Sequence, residues 1–166
     1  MFAVGRHLEE WPGLITDHCN LSSCYDLLIT IMKAQSLHVS IPALHLWVKL
    51  LSSEHYSRSA GVTALAAELL EVCSQRMLRY ESLPEDSTDS SIVFLNEDVD
   101  TFPERHAFLG NYSRFCHQVV ETIVEKQPAD ALYHLLGQAD QVLDHLYDGE
   151  PPFQGTLPSN PLVAGV

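Results

Sequence analysis

Apolar residues recur along this chain at steps of three and four, the spacing that places them on one face of an α-helix. The pattern is clearest in the second half, where it predicts long helices over about residues 58–81, 102–126 and 128–147. Their apolar stripes are Val62, Leu65, Ala66, Leu69, Leu70, Cys73, Met77 and Tyr80; Phe108, Tyr112, Phe115, Cys116, Val119, Val120 and Ile123; and Leu132, Leu135, Leu136, Ala139, Val142, Leu143 and Leu146. Alternation with period two nowhere lasts long enough for a convincing strand. The sequence therefore predicts an all-α fold.

Start signals accompany two of these helices. Thr101 and Glu104, three positions apart, form a capping box, and Pro103 lies in the first turn that follows. Pro128 stands where a helix tolerates proline, at its first position. These signals predict that the second and third long helices begin near residues 102 and 128.

Shorter helices are predicted in the first third of the chain. Ser22 or Ser23 can cap one of them, and residues 3–10 are expected to be helical up to Trp11-Pro12-Gly13. A further stripe contains Pro42, so its regular helix is expected to begin only at Ser40. The apolar members of that stripe are Leu37, Ile41, Leu44, Val48 and Leu51.

Trp47 lies between apolar positions of the same stripe. A large aromatic side chain there is expected to fill the joint between neighbouring helices, with contact to a ligand or partner as the alternative. We therefore predict a structural role for Trp47.

Two segments interrupt the helical pattern. About residues 83–100 are predicted to form an acidic loop, since the chain has eight acidic residues and no Lys or Arg between positions 81 and 104. Such a stretch is either a solvated linker or a negative surface that holds a basic partner. Residues 149–166 are rich in Pro and Gly and are predicted to be an irregular tail, which leaves residues 1–148 as the helical segment.

The charge of the chain narrows the class of protein. Among 166 residues, 22 are acidic and 9 are Lys or Arg, which gives a formal net charge of −13. Direct binding of DNA or RNA is not expected, because it depends on neutralising phosphates with basic side chains. Charged residues also interrupt every apolar run, so no membrane span is predicted.

Four cysteines and nine histidines raise the question of a metal site. His18, Cys19 and Cys24 are the closest grouping, but no second pair accompanies them, and Cys73 and Cys116 stand alone. We expect no metal and no cofactor. Motifs for phosphate-binding loops, zinc proteases and serine nucleophiles are missing too, so the chain is not expected to be an enzyme.

Successive amphipathic helices favour an α-solenoid of HEAT type, built of antiparallel helix pairs. Four stretches of sequence carry a closer resemblance. They are SLHVSIPALHLWVKLL at 36–51, LPED at 83–86, FLNEDVD at 94–100 and PERHAFLGNY at 103–112. These stretches resemble the middle HEAT region of fungal exportin-5-type karyopherins, which are nuclear export receptors of the importin-β superfamily. The similarity covers about residues 3–153.

The resemblance implies cargo transport without covalent chemistry. A full receptor of this family carries cargo out of the nucleus with Ran in its GTP form. It contacts nuclear pore proteins and shuttles between nucleus and cytoplasm. Its cargoes are tRNA, microRNA precursors or, in fungi, phosphorylated proteins. Related receptors touch basic faces of Ran with acidic loops between HEAT helices. The resemblance thus makes Glu97, Asp98 and Asp100 the candidate partner-binding residues.

The sequence leaves two interpretations of the chain as a whole. One is a fragment of a longer receptor, such as a truncated or mispredicted gene product, because residues 2–10 look like the end of an interior helix and residues 154–166 fall outside the resemblance. The other is a stand-alone helical scaffold that binds one protein partner in a groove. A scaffold should cap its end helices with polar residues, whereas continuing repeats leave apolar faces.

Overall fold

The computed structural model describes residues 2–77 and 88–144 of the chain. Over these two ranges the backbone forms ten helices and no strand. In chain order they are α1 (Phe2–Glu10), α2 (Pro12–His18), α3 (Leu21–Met32), α4 (Leu37–Ser52), α5 (Glu54–Ser57), α6 (Ala60–Ala64), α7 (Ala66–Arg76), α8 (Ser90–Asp98), α9 (Phe102–Lys126) and α10 (Pro128–Asp144). The predicted all-α fold is confirmed, and its successive packed helices agree with an α-solenoid segment.

Polar side chains cap the N-termini of several of these helices, because they accept hydrogen bonds from the free backbone N–H groups of the first turn. Asn20 is the N-cap of α3, and its side-chain Oδ1 accepts a hydrogen bond from the N–H of Ser23 at 3.2 Å. Asp89 is the N-cap of α8, and its Oδ1 accepts hydrogen bonds from the N–H groups of Ser91 and Ile92. The prediction that Ser22 or Ser23 caps α3 is therefore wrong by two or three positions, because the amide oxygen of Asn20 fills this role.

Helix α4 begins earlier than expected. Ser36 accepts a hydrogen bond from the N–H of Val39, and the helix starts at Leu37 rather than at Ser40. Pro42 lies inside the helix, where its missing N–H removes one hydrogen bond. The prediction placed too much weight on this local cost, which the cap and the buried face of α4 together outweigh.

The predicted helix over residues 58–81 is interrupted. Within residues 58–77 the structure has α6 and α7, which meet at Leu65, while residues 78–81 lie outside the described ranges. The N–H of Leu65 bonds the carbonyl of Val62 at 3.2 Å, the tighter i to i+3 pattern that often ends a helix. The apolar stripe continues through this tightened turn, so its periodicity gave no sign of the interruption.

The last two long helices agree well with the prediction. Helix α9 covers residues 102–126 as expected, and α10 begins at Pro128. Residues 145–147, predicted to continue α10, lie outside the described ranges, as does the predicted tail over 149–166. The long apolar stripe of α9 and its start signal explain why its bounds could be predicted.

The predicted acidic loop is wrong over residues 90–98, because this stretch forms helix α8. The cap at Asp89 and the burial of Ile92 and Leu95, three positions apart, explain the helix. Residues 83–87 of the predicted loop lie outside the described ranges.

Helix α4 lies at the centre of the first of two compact units, residues 1–135. It packs against α1, α3, α5, α8 and α9. Trp47 is 0% exposed, and its ring lies 5.6 Å from that of Tyr25 between centroids. Cys73 and Cys116 are buried in the same core. The largest fully buried side chains are Trp47, Tyr56, Tyr112, Met32, Leu37, Leu44, Leu50, Leu69, Leu70, Ile123, Val62 and Val119.

The second unit comprises residues 136–166, of which the structure describes the last turns of α10. Leu136, Val142 and Leu143 are each more than half exposed there. Among the helices described in either unit, none is both long enough and apolar enough to cross a membrane.

His45 is expected to make the stability of the first unit depend on pH. His45 on α4 packs edge-on against Phe115 of α9 at 4.1 Å between ring centroids, and its Nε2 has no hydrogen-bond partner among the described residues. Burial, with a smaller effect from the charge of Arg114, lowers the pKa of His45. The unfolded chain therefore takes up the proton first as pH falls, so the stability is complete above the ordinary histidine pKa of about 6.5 and declines below it.

We expect the free energy of unfolding to fall between pH 7.5 and pH 5.5 by less in His45→Phe than in the wild-type chain. Urea unfolding at the two pH values measures the difference. An equal fall in the two proteins would show that His45 does not contribute to the pH dependence.

Candidate functional site

The three predicted structural residues lie in two different settings. Trp47 has no exposed surface, so it is placed for packing rather than for contact with a partner. Thr101 is the N-cap of α9. Its Oγ1 accepts a hydrogen bond from the N–H of Glu104 at 3.4 Å and donates one to Glu104 Oε2 at 2.6 Å. In the usual capping box the carboxylate accepts from the backbone N–H of the first residue, whereas here it accepts from the hydroxyl.

The three predicted partner-binding residues lie together at one end of a helix. Glu97 and Asp98 are the last two residues of α8, and Asp100 follows two positions later. All three are exposed. We call this set the acidic end of α8. Negative charge at a helix C-terminus is unfavourable, because the free carbonyl groups there already carry partial negative charge. Helix stability therefore does not account for these acids.

The acidic end of α8 is tied to two other helices. Asp98 Oδ2 accepts a hydrogen bond from Ser36 Oγ at 3.0 Å, and Ser36 is the N-cap of α4. Arg105 of α9 donates to Asn96 Oδ1, one residue before Glu97 in the last turn of α8. Glu97 and Asp100 form no ion pair with any residue that the structure describes. Among the described residues these two charges are therefore unpaired on the surface.

The other end of α8 is held by Arg76, the last residue of α7. Its Nη1 donates to Ser91 Oγ at 3.0 Å, and its Nη2 donates to the carbonyl oxygen of Ala34 at 2.6 Å. Arg76 therefore joins α7, α8 and the turn between α3 and α4. Sequence reasoning missed this residue, and no local signal could have found it, because its two partners are 15 and 42 positions away.

The described residues hold no cluster suited to metal binding. No group of three His, Cys, Asp or Glu side chains among them could hold a metal ion. Cys19 is exposed and Cys24 is half-buried. A hydrogen bond with Cys116, together with burial, raises the pKa of the Cys73 thiol. A thiol held in its protonated form is a poor nucleophile.

Comparison with known proteins adds the family to this description of a helical segment. The chain matches the family model of exportin-5 over residues 12–154. It is also 33% identical over 111 residues to Uncharacterized protein C328.01c of Schizosaccharomyces pombe (strain 972 / ATCC 24843). That match covers 64% of this chain and 9% of the fission yeast protein, so the chain corresponds to a small part of that relative. No solved structure matches the chain.

The family match extends over most of the chain and includes α4, α8 and α9, the helices that position the acidic end of α8. The all-α fold of the described residues is consistent with this match. The chain therefore belongs to the exportin-5 family.

Proposed function

We propose that this chain is a segment of a nuclear export receptor that carries RNA or protein cargo out of the nucleus together with Ran-GTP. Its membership of the exportin-5 family supports the proposal, because this is a family of transport receptors and not of enzymes. In the complete receptor the cargo is a tRNA, a microRNA precursor or a phosphoprotein. The receptor contacts nuclear pore proteins and shuttles between nucleus and cytoplasm.

Exposed apolar residues on α10 support a repeat segment over a stand-alone scaffold. Leu132 in the first unit is more than half exposed, as are Leu136, Val142 and Leu143 in the second. In a solenoid, each helix pair buries such residues against the neighbouring repeat, whereas a terminal repeat carries polar residues on its outer face. The exposure of these residues supports the proposal that α10 packs against a neighbouring repeat in the complete receptor.

The acidic end of α8 is the surface that we propose for a basic partner, either Ran or cargo. The observation that carries this assignment is its geometry: three exposed acids at the unfavourable end of a helix, held in place by Ser36 and Arg105. Each exposed ion pair contributes about 1 kcal/mol or less, so the binding energy should be spread over the three residues. Salt should reduce it, because screening acts strongly on exposed charges.

A full-length receptor that carries Glu97→Gln, Asp98→Asn and Asp100→Asn tests this assignment. We expect its affinity for Ran-GTP or for cargo to fall about tenfold at low salt and by less at high salt. The asparagine at position 98 keeps an acceptor oxygen for Ser36, so the substitutions remove charge with little change in structure. Titration at 50 mM and 300 mM salt gives both affinities.

A triple variant of equal charge change is the matched control. Asp26→Asn on α3 with Glu121→Gln and Glu125→Gln on α9 removes three exposed acids elsewhere. The control should keep the wild-type affinity. If both triple variants bind like the wild type at both salt concentrations, the acidic end of α8 is a solvated surface without a recognition role.

A further inference from the structure

A cavity of about 290 Å³ in the first unit has a chemistry opposite to the net charge of the chain. It is lined by Ser57, Arg58, Thr63, Lys126 and Gln127, which come from α5, α6 and the end of α9 and their adjoining residues. All five side chains can donate hydrogen bonds, and two are cations. The chain has only 9 basic residues against 22 acidic ones, so two of them at one cavity indicate an acceptor-rich, negatively charged ligand.

The hydroxyl of Ser57 supplies a second, independent indication. Ser57 is only 4% exposed, and its Oγ has no hydrogen-bond partner among the described residues. Buried hydroxyl groups are almost always bonded, because leaving one without a partner is destabilising. A ligand with acceptor oxygens in the adjoining cavity would provide the missing bond after a rotation of the serine side chain.

Glu54 is the feature that opposes an anion at this place. Its carboxylate lies 2.9 Å from Arg58 Nη2 and 3.8 Å from Lys126 Nζ. One carboxylate between two cations leaves a single net positive charge. The Glu54 side chain is 74% exposed and free to turn away, whereas that of Lys126 is only 26% exposed and stays at the cavity. The carbonyl groups at the end of α9 also oppose an anion. Binding should therefore be specific but weak.

We propose that this cavity binds a phosphate group, with Arg58 and Lys126 as the cationic contacts and Ser57, Thr63 and Gln127 as neutral donors. A guanidinium group and a phosphate match in geometry, because two parallel N–H groups can bond two phosphate oxygens. The proposed transport function does not depend on this site, but a phosphoserine bound here would belong to the phosphoprotein cargo of that function. The same chemistry accommodates inorganic phosphate or the phosphate of a phosphoserine.

Titration of the whole chain with sodium phosphate and, separately, with O-phosphoserine tests the site. Sodium chloride keeps the ionic strength constant, and amide chemical shifts report the binding. We expect saturable shifts at Ser57, Arg58 and Gln127, with a dissociation constant of about 1 mM, which is typical of a few charge-assisted contacts. Tighter binding of O-phosphoserine would identify a phosphorylated side chain as the source of the group, and tighter binding of phosphate would identify the free anion. Shifts that do not saturate, or that chloride reproduces, would overturn the proposal.

Three variants test the individual contacts. Arg58→Gln should weaken phosphate binding about tenfold, while Glu54→Gln should strengthen it about threefold because a competing carboxylate is removed. Ser57→Ala should weaken binding about threefold without lowering the melting temperature of the free chain, since it removes an unbonded hydroxyl.

Arg6→Gln is the matched control for Arg58→Gln. Arg6 forms an exposed ion pair with Glu10 at 2.8 Å, with the same spacing of four residues as Arg58 and Glu54, but it lies outside the cavity. Its loss should leave phosphate affinity unchanged. An equal loss of affinity in the two arginine variants would mean that phosphate responds only to net charge, and the site would be rejected.

Discussion

Replacing Trp47 with Ala is expected to lower the free energy of unfolding by about 3–5 kcal/mol, the usual cost of removing a buried aromatic side chain. Trp47 is 0% exposed at the centre of α4, the helix that packs against five others. A single domain is typically stable by about 5–15 kcal/mol, so this loss is a large part of the total. Urea unfolding followed by far-ultraviolet circular dichroism measures it.

Two further variants separate packing volume from other effects of the Trp47 substitution. Trp47 Nε1 is buried without a hydrogen-bond partner among the described residues. Trp47→Phe keeps a ring and removes this unbonded N–H group, so it should cost less than half as much as Trp47→Ala. Val39→Ala changes an exposed residue of the same helix and should alter the stability by no more than about 0.5 kcal/mol. Equal stability of Trp47→Ala and the wild type would contradict the central role of Trp47.

Helix α9 shows what local sequence signals can predict. Its start depends on Thr101 and Glu104, which are neighbours along the chain, and its apolar stripe is long enough to define a single face. The end of α1 at Glu10 was predicted for the same reason, although Pro12 then begins α2 instead of a loop, since a helix tolerates proline at its first position. Bounds that follow from neighbouring residues can be predicted, and α4 shows where distant packing overrides them.

Helix α8 shows why the rest could not be predicted. It has nine residues, and only Ser91, Ile92 and Leu95 are buried, so its periodicity is weak beside the conspicuous run of acids. What fixes the helix is distant in sequence. Arg76 holds one end, and Ser36 reaches Asp98 at the other across 62 positions. The acidic residues of the candidate site were visible in the sequence, but their support was not.

The cavity that we assign to phosphate is a stronger case of the same limit. Arg58 and Lys126 are separated by about two fifths of the chain, and in the sequence each is an ordinary basic residue at the end of a helix. No motif joins them, because the site exists only where α5 approaches the end of α9. Charge composition even argues against an anion site, since it averages over a surface on which one cavity differs from the rest.

Replacing Arg76 with Met is expected to loosen α8 while leaving most of the core intact. Methionine keeps much of the apolar length of the arginine but loses the hydrogen bonds to Ser91 Oγ and to the carbonyl of Ala34. Ser91 is buried, so losing two charge-assisted bonds should cost about 2–3 kcal/mol. Because the bonds join α8 to its surroundings, amide hydrogen exchange in α8 should accelerate about thirtyfold, while exchange in α9 changes much less.

The control for Arg76→Met is Lys33→Met, which removes an exposed ion pair between α3 and α7. Lys33 Nζ lies 2.5 Å from Glu68 Oε1, but both side chains are well exposed, so the cost should be below about 1 kcal/mol and exchange in α8 should not change. Unchanged exchange in α8 of Arg76→Met would contradict the role of Arg76 in holding α8, as would an equal rise in α8 and α9.

In the full-length receptor, Arg76→Met should also lower the affinity for the basic partner, although every acidic residue of α8 is retained. The reason is that the three carboxylates then lose their fixed positions. Such a loss would show that recognition depends on the placement of the acidic end as well as on its charge.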